Sequence, residues 1–147
     1  MSKVEEFLTQ TQEQQIVKAI RTAELHSSGE IRVHIENCTP KETLVRAEEV
    51  FHYLKMDETE NKNGVLFYLA VQDKKFAVIG DKNIDAKVPN GFWESTKELV
   101  LKEFKTAHFA SGLVKGILNV GKELKQYYPI NENDTNELIN TVSVGKK

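Results

Sequence analysis

The sequence predicts an α/β protein, a three-layer α/β/α sandwich with a small mixed sheet and helices on both faces. Three observations predict this class. Residues 30–36, EIRVHIE, alternate apolar and charged side chains, which is typical of a strand with one buried face. Residues 65–71 are unbroken apolar sequence, as in a central strand. Stripes of apolar residues three or four positions apart lie between and after these strands, and they indicate helices.

The first helix and the first strand follow each other directly. Thr9 and Thr11 each precede a glutamine by three residues, the pattern of a capped helix start, and Ser27-Ser28-Gly29 ends that helix. In the strand, Arg32, His34 and Glu36 occupy the side opposite the isoleucines and valine. We expect them to form an exposed row, from which a partner protein could be recruited by strand addition.

A second helix and a hairpin come next. Thr39-Pro40-Lys41-Glu42 is a strong helix start, and a stripe from Leu44 to Leu54 follows it. The short polar link of residues 72–75 makes the second and third strands an antiparallel hairpin. The first two strands are joined through a helix and are therefore predicted to be parallel.

The rest of the chain predicts two further helices and a tail. Apolar spacing indicates one helix from about Phe92 to Thr106 and another that ends at Tyr128-Pro129. We expect one domain over residues 1–128, and a polar, mobile segment over residues 129–147. Gly112 and Gly116, four residues apart, are expected to let a neighbouring helix or strand approach closely.

Composition excludes several functional classes. A formal charge of −2 gives no electrostatic basis for binding nucleic acid. The single cysteine excludes an internal disulfide and a cysteine-rich zinc site. No apolar run is long enough to span a bilayer, and no signal peptide is recognisable, so a cytoplasmic protein without membrane insertion is expected.

Oxygen-bearing side chains converge on one edge of the predicted sheet. The starts of two parallel strands and the end of an antiparallel third share that edge. Their segments supply Glu30, Asn63 and the loop residues Asp81, Asn83 and Asp85. Hard cations prefer such ligands, so these five residues are the predicted site for Ca²⁺ or Mg²⁺. An EF-hand is excluded, because its glycine and its glutamate positions are occupied by alanine and phenylalanine. A polar turn without an ion remains the alternative.

Three stretches resemble one protein family. They are SGEIRVHIE at 28–36, NKNGVLFYLAVQDKKFAVIGD at 61–81 and FASGLVKGILNVGKEL at 109–124. They are similar to the TPM domain, a phosphatase-like family named after thylakoid-lumen and photosystem-repair proteins, and the chain resembles its soluble bacterial members. The resemblance implies an α/β/α sandwich, cation binding in acidic loops and, for some plant members, acid phosphatase activity. Where relatives commonly read G-Y-G after the third strand, this chain has Gly80-Asp81-Lys82.

Two functional hypotheses follow. The first is a domain that binds Ca²⁺ or Mg²⁺, with phosphate-ester hydrolysis left open; Lys62, Lys82 and Lys87 are the candidate phosphate-binding groups. The second is a non-catalytic module that binds a protein partner. The sequence identifies no catalytic residue, no substrate and no partner.

Overall fold

A computed structural model describes residues 7–129 and 142–144. Its helices are α1 (Gln10–Glu24), α2 (Thr43–Tyr53), α3 (Lys82–Lys87), α4 (Phe92–Phe104) and α5 (Phe109–Tyr127), with a 3-10 turn at Met56–Glu58. Its strands are β1 (Glu30–Glu36), β2 (Gly64–Ala70), β3 (Lys75–Gly80) and β4 (Val142–Val144).

The strands form one mixed sheet in the order β3-β2-β1-β4. The parallel pairing of β1 with β2 and the antiparallel hairpin of β2 with β3 are both confirmed. The strand β4, which the sequence analysis does not predict, lies parallel to β1 at Val33–Ile35. The other residues of the predicted polar tail, 130–141 and 145–147, lie outside the described part of the chain.

Helices cover both faces of the sheet, so the predicted sandwich is confirmed. On one face, α1, α4 and α5 pack on the alternate strand residues Ile31, Val33 and Ile35 and their neighbours in β2 and β3. On the other face, α2 packs on the intervening residues Leu66, Tyr68, Ala70 and Ala77. Because β2 contributes to both cores, all seven of its residues are buried, which explains its unbroken apolar sequence.

Close helix packing fixes α5 against its neighbours. A Cβ atom added at Gly112 would lie 2.9 Å from the carbonyl oxygen of Val100 in α4, and one at Gly116 would lie 2.8 Å from the Phe67 ring. The expected close approach at these two glycines is therefore confirmed. None of the helices in residues 7–129 is both long and apolar enough to cross a membrane.

The expectation of an exposed polar row on β1 is wrong. His34 is 4% exposed and Glu36 is 1% exposed. The strand is also interior, because β2 pairs on one side and β4 on the other. The alternation in the sequence identifies the two faces correctly, but a charged face is not necessarily a solvated one when arginine and tyrosine partners are available to it.

The predicted acidic loop is also different in the structure. Asp81 is the N-cap of α3, and its carboxylate accepts a hydrogen bond from the backbone N–H of Lys82 at 2.8 Å. Aspartate is among the preferred N-cap residues, and the fully buried Ile84 anchors the short helix on the core. Asn83 and Asp85 therefore lie on a helix rather than in a loop.

Candidate functional site

The segments predicted to meet at one edge of the sheet do meet there. Glu30, the first residue of β1, is in register with Gly64, the first residue of β2. The backbone N–H of Asp81 donates to the carbonyl oxygen of Gly64 at 2.8 Å. Glu30, Gly64 and Asp81 are thus consecutive across the sheet, and Gly64 places no side chain between the two acidic residues.

Hydrogen bonds between side chains join these segments further. The hydroxyl oxygen of Ser28 accepts from the amide groups of Asn61 at 3.2 Å and Asn63 at 3.5 Å. The amide group of Asn83 donates to the carbonyl oxygen of Asn61 at 2.9 Å. The side-chain donors of these amides are directed at protein groups, which leaves their carbonyl oxygens as candidate ligands.

Asp81 has one oxygen that its surroundings do not satisfy. Oδ1 accepts from the backbone of Lys82, whereas Oδ2 is shielded from solvent and has no hydrogen-bond partner among the described residues. The hydroxyl oxygen of Tyr128 is buried without such a partner as well. Burial, followed by the negative charge of Asp81, raises the pKa of Tyr128, so that phenol stays protonated.

Tyr128 was missed by the sequence analysis, which assigned it only the role of ending the last helix. Its carbonyl oxygen accepts from the backbone N–H of Ser28 at 2.9 Å, and this bond brings the end of α5 to the edge of the sheet. The sequence shows only a tyrosine directly before a proline at a helix end. This pattern does not indicate at which edge of the sheet the helix ends.

Asp85 shares a cleft with Asp81 and is bonded there to the next helix. Its Oδ1 accepts a hydrogen bond from the indole N–H of Trp93 at 2.8 Å. Both residues line a cleft of about 590 Å³ between α2, β3 and α4. The cleft also contains Glu48, His52 and Glu94, none of which the sequence analysis named as site residues.

Acidic residues alone do not form a metal cluster in the described structure. Within residues 7–129, no three side chains of histidine, cysteine, aspartate or glutamate are arranged to hold an ion. Glu30 and Asn63 are each only 1% exposed, and Asn83 and Asp85 are exposed on α3. An ion at this edge would therefore use one or two carboxylates and complete its shell with amide, hydroxyl or carbonyl oxygens and water.

Comparison with known protein families decides the identity of this fold. The family model described as the TPM domain matches residues 1–123. The chain belongs to the TPM domain family.

Solved structures agree with this assignment. The NMR structure of the BA42 protein from the psychrophilic bacterium Bizionia argentinensis is 49% identical, covers 99% of this chain and 100% of its own, and has a TM-score of 0.90. The N-terminal domain of a P. gingivalis protein is 18% identical, with 83% and 79% coverage and a TM-score of 0.67. The N-terminal domain of the cg2496 protein from Corynebacterium glutamicum is 9% identical, covers 80% of this chain and 74% of its own, and has a TM-score of 0.59.

The two N-terminal domains share the fold alone with this chain. Comparison with curated proteins gives no match. The family model and the solved structures establish the family and the fold of this TPM domain.

A second polar cluster of this TPM domain lies at the opposite end of β1. The carboxylate of Glu36 accepts from Arg46 Nε and Nη2, both at 2.8 Å, and from the Tyr68 hydroxyl. His34 Nε2 lies 3.3 Å from the same carboxylate. Burial alone would raise the pKa of Glu36, but the bonds from Arg46 and Tyr68 outweigh it and lower the pKa to about 2.

The cluster around Glu36 is closed rather than open to a ligand. Burial raises the pKa of Tyr68, with a further contribution from the hydrogen bond to Glu36, and burial lowers the pKa of His34 in spite of that carboxylate. Glu36 is thus ionised, with Arg46 as its counter-ion, and Tyr68 is a neutral donor. Tyr68 places a hydroxyl group inside the apolar run of β2. A buried tyrosine hydroxyl usually has a hydrogen-bond partner, so this residue was the sign in the sequence that a buried acceptor lies nearby.

Proposed function

We propose that this TPM domain binds a divalent cation, Ca²⁺ or Mg²⁺, at the sheet edge formed by Glu30, Asn63 and Asp81. The observation that carries the proposal is the Oδ2 atom of Asp81, which is shielded from solvent and has no hydrogen-bond partner among the described residues. A buried carboxylate oxygen without a partner is costly, and a bound cation supplies one. Asn83, in the first turn of α3, adds an amide oxygen, and its amide group donates to the carbonyl oxygen of Asn61.

The charges of Asp81 and Asp85 are also not neutralised by any basic side chain in the described part of the chain. No described lysine or arginine forms an ion pair with Asp81 or Asp85, although ion pairs occur elsewhere on the surface. Because affinity for Ca²⁺ rises with the number of charged ligands, one or two carboxylates suit a weak site, with a dissociation constant on the order of 10⁻⁴ to 10⁻³ M.

A titration with CaCl₂ and MgCl₂, followed by amide NMR shifts, tests the proposal. We expect saturable shifts at residues 61–64 and 80–85, and an affinity at least about tenfold lower in Asp81→Asn. Asparagine is as good an N-cap as aspartate, so this variant removes the charge and keeps α3. The matched control is Asp73→Asn in the β2–β3 turn, where the side-chain oxygen still accepts from Thr39.

Two results would contradict the proposal. One is the absence of saturable shifts up to about 20 mM of either ion, which lies well above the weak range expected for this ligand set. The other is equal loss of affinity in Asp81→Asn and Asp73→Asn, which would indicate a diffuse response to net charge. Loss of affinity in Asp85→Asn alone would place the ion beside Asp85 and Trp93 instead of at the sheet edge.

The contacts give less support to hydrolysis of a phosphate ester, the activity that the resemblance implies for some relatives. Of the three candidate phosphate-binding lysines, Lys62 donates to the carbonyl oxygen of Asp57, and Lys87 lies 4.7 Å above the Tyr128 ring. We therefore infer binding without turnover, and expect no metal-dependent release of phosphate from an aryl phosphate above the Asp81→Asn level. The cytoplasmic location remains a prediction from the sequence.

A further inference from the structure

The outer edge of β3 is unpaired in the described structure. β3 is the last strand of the sheet on its side, and none of the described strands pairs with its outer edge. An unpaired edge presents a row of backbone donors and acceptors, which is the template for strand addition by another chain. Natural proteins usually cover or charge such edges, so the surroundings of this one are informative.

The pairing of β3 with β2 fixes which backbone groups point outwards. The bond from Asp81 N–H to the carbonyl oxygen of Gly64 makes these two residues a hydrogen-bonded pair of the antiparallel ladder. Such pairs alternate along the strand. Phe76, Val78 and Gly80 therefore direct their N–H and C=O groups away from β2, over a length of roughly 15 Å.

A groove follows this edge between two helices. The 590 Å³ cleft at the Gly80 end continues into one of about 160 Å³ at the Phe76 end, and the two share Leu44, Val78, Trp93 and Glu94. Leu44, 51% exposed, and Phe51 form the α2 wall. Trp93 forms the α4 wall, and its ring packs directly against Gly80. The groove thus has the outer edge of β3 as its floor and apolar side chains on both walls.

The charge of the groove selects its occupant. The described residues that line the larger cleft include four carboxylates, on Glu48, Asp81, Asp85 and Glu94, and no lysine or arginine. The smaller cleft adds one lysine, Lys97, at the far end. A second copy of this chain would place the same carboxylates opposite these and would be repelled, whereas basic side chains are attracted.

We propose that the outer edge of β3 receives an extended, basic segment of a partner protein as an added strand. Its backbone bonds to Phe76, Val78 and Gly80. Alternate side chains then lie over the α2 and α4 walls, where lysine or arginine meets Glu48 and Glu94, and apolar side chains meet Leu44 and Trp93. This surface replaces the polar row of β1 as the place where a partner strand could pair.

Hydrogen exchange with a model peptide tests the proposal in the full chain. The probe is an octapeptide of alternating valine and lysine, added at low salt with EDTA, and the matched probe replaces each lysine by glutamate. We expect slower exchange at the amides of Phe76, Val78 and Gly80 with the basic probe alone. The amides of Ala77 and Ile79 already bond to β2 and should not change.

A pair of charge-reversal variants separates the groove from the net charge. Glu48→Lys with Glu94→Lys should weaken binding of the basic peptide at least about tenfold. Glu13→Lys with Glu98→Lys changes net charge equally, at exposed sites outside the groove, and should have a much smaller effect. Because the peptide is added with EDTA, its binding does not depend on a bound cation, so failure of the cation site and failure of the groove are distinguishable.

Several outcomes would overturn the proposal. They are equal binding of the basic and acidic peptides, equal weakening by the two double variants, and binding without alternating protection along β3. Spermine that binds as tightly as the peptide, with no amide protected, would show a site for small cations only. Concentration-dependent dimerisation that protects the same three amides would show that a second copy is the occupant.

Discussion

Glu36 and Asp81 stand at opposite ends of the same sheet and are satisfied in opposite ways. Glu36 ends β1 and receives two hydrogen bonds from Arg46 and one from Tyr68, and His34 Nε2 lies 3.3 Å from its carboxylate. Asp81 follows β3 and receives one, from the Lys82 backbone, while its second oxygen is buried without a hydrogen-bond partner among the described residues. The comparison teaches that a carboxylate near a sheet end has a structural role when hydrogen bonds from the protein satisfy both of its oxygens. When one oxygen is left without such a bond, the carboxylate is available to a ligand.

The energetics of the two sites differ for the same reason. A buried charge loses its hydration, and only a partner of good geometry offsets that loss. Arg46 makes the bidentate contact that suits a carboxylate, so Glu36 is stable as an ion. Asp81 has no such basic partner among the described residues, so its substitution should reduce stability little but should weaken ligand binding.

The largest effect is expected from breaking the closed site. Arg46→Met leaves Glu36 buried without its counter-ion, and we expect the free energy of unfolding to fall by about 3 kcal/mol. This is the lower end for a buried pair, because the Arg46 side chain is 29% exposed. Urea denaturation measures the change. Glu49→Gln removes the exposed partner of Arg46 and should cause a much smaller loss.

The stability should depend on pH through Glu36. Its pKa is about 2 in the folded protein, below its ordinary value of 4.5, so the contribution of Glu36 is complete above pH 4.5 and is lost as the pH falls towards 2. We expect a loss of about 2 kcal/mol, after allowing for solvent screening of the partly exposed guanidinium. Urea unfolding at pH 6 and at pH 2.5 should show this loss in the wild type and a smaller one in Glu36→Gln. An equal loss of stability between pH 6 and pH 2.5 in the wild type and in Glu36→Gln would show that Glu36 is not the group responsible.

Tyr68→Phe sharpens the comparison by removing one donor and keeping the ion pair. We expect a loss of about 1.5 kcal/mol, typical of a hydrogen bond to a charged group, and a rise in the pKa of Glu36. Tyr53→Phe is the matched control, because Tyr53 is 81% exposed and should be neutral. A loss in both variants would assign the effect to something other than the bond to Glu36.

Much of the fold could be predicted because the sequence patterns report burial directly. The alternation in β1, the apolar run in β2 and the short link before β3 each define an element and its direction, and direction alone places Glu30, Asn63 and Asp81 at one edge. What alternation does not report is how a polar face is covered. The burial of His34 and Glu36 depends on Arg46 and Tyr68, which are distant in sequence and reach them only in the folded sheet.

The meeting of the three segments at one sheet edge was predictable, and the conformation of their residues was less so. Strand order brings the segments together whatever their side chains do. The state of residues 81–85 depends on a local competition, in which the aspartate caps a helix and the buried Ile84 holds that helix to the core. Asp81, Asn83 and Asp85 are two residues apart, and on a helix residues at this spacing face different directions. In a loop the three side chains could have turned towards one ion. The role of Tyr128 depends on where α5 ends, which local spacing does not determine.

The smallest change in intrinsic stability is expected at the open site, and it depends on the ligand. Without metal, Asp81→Asn should differ from the wild type by less than about 0.5 kcal/mol, because asparagine keeps the N-cap. With Ca²⁺ at ten times its dissociation constant, the wild type should gain about 1.4 kcal/mol and the variant far less. Thermal melts with CaCl₂ or with EDTA measure the difference, and NaCl of equal ionic strength controls for screening. A gain shared by both proteins would mean that Asp81 is not a ligand, and the contrast with Glu36 would then concern only hydrogen bonding and not ligand binding.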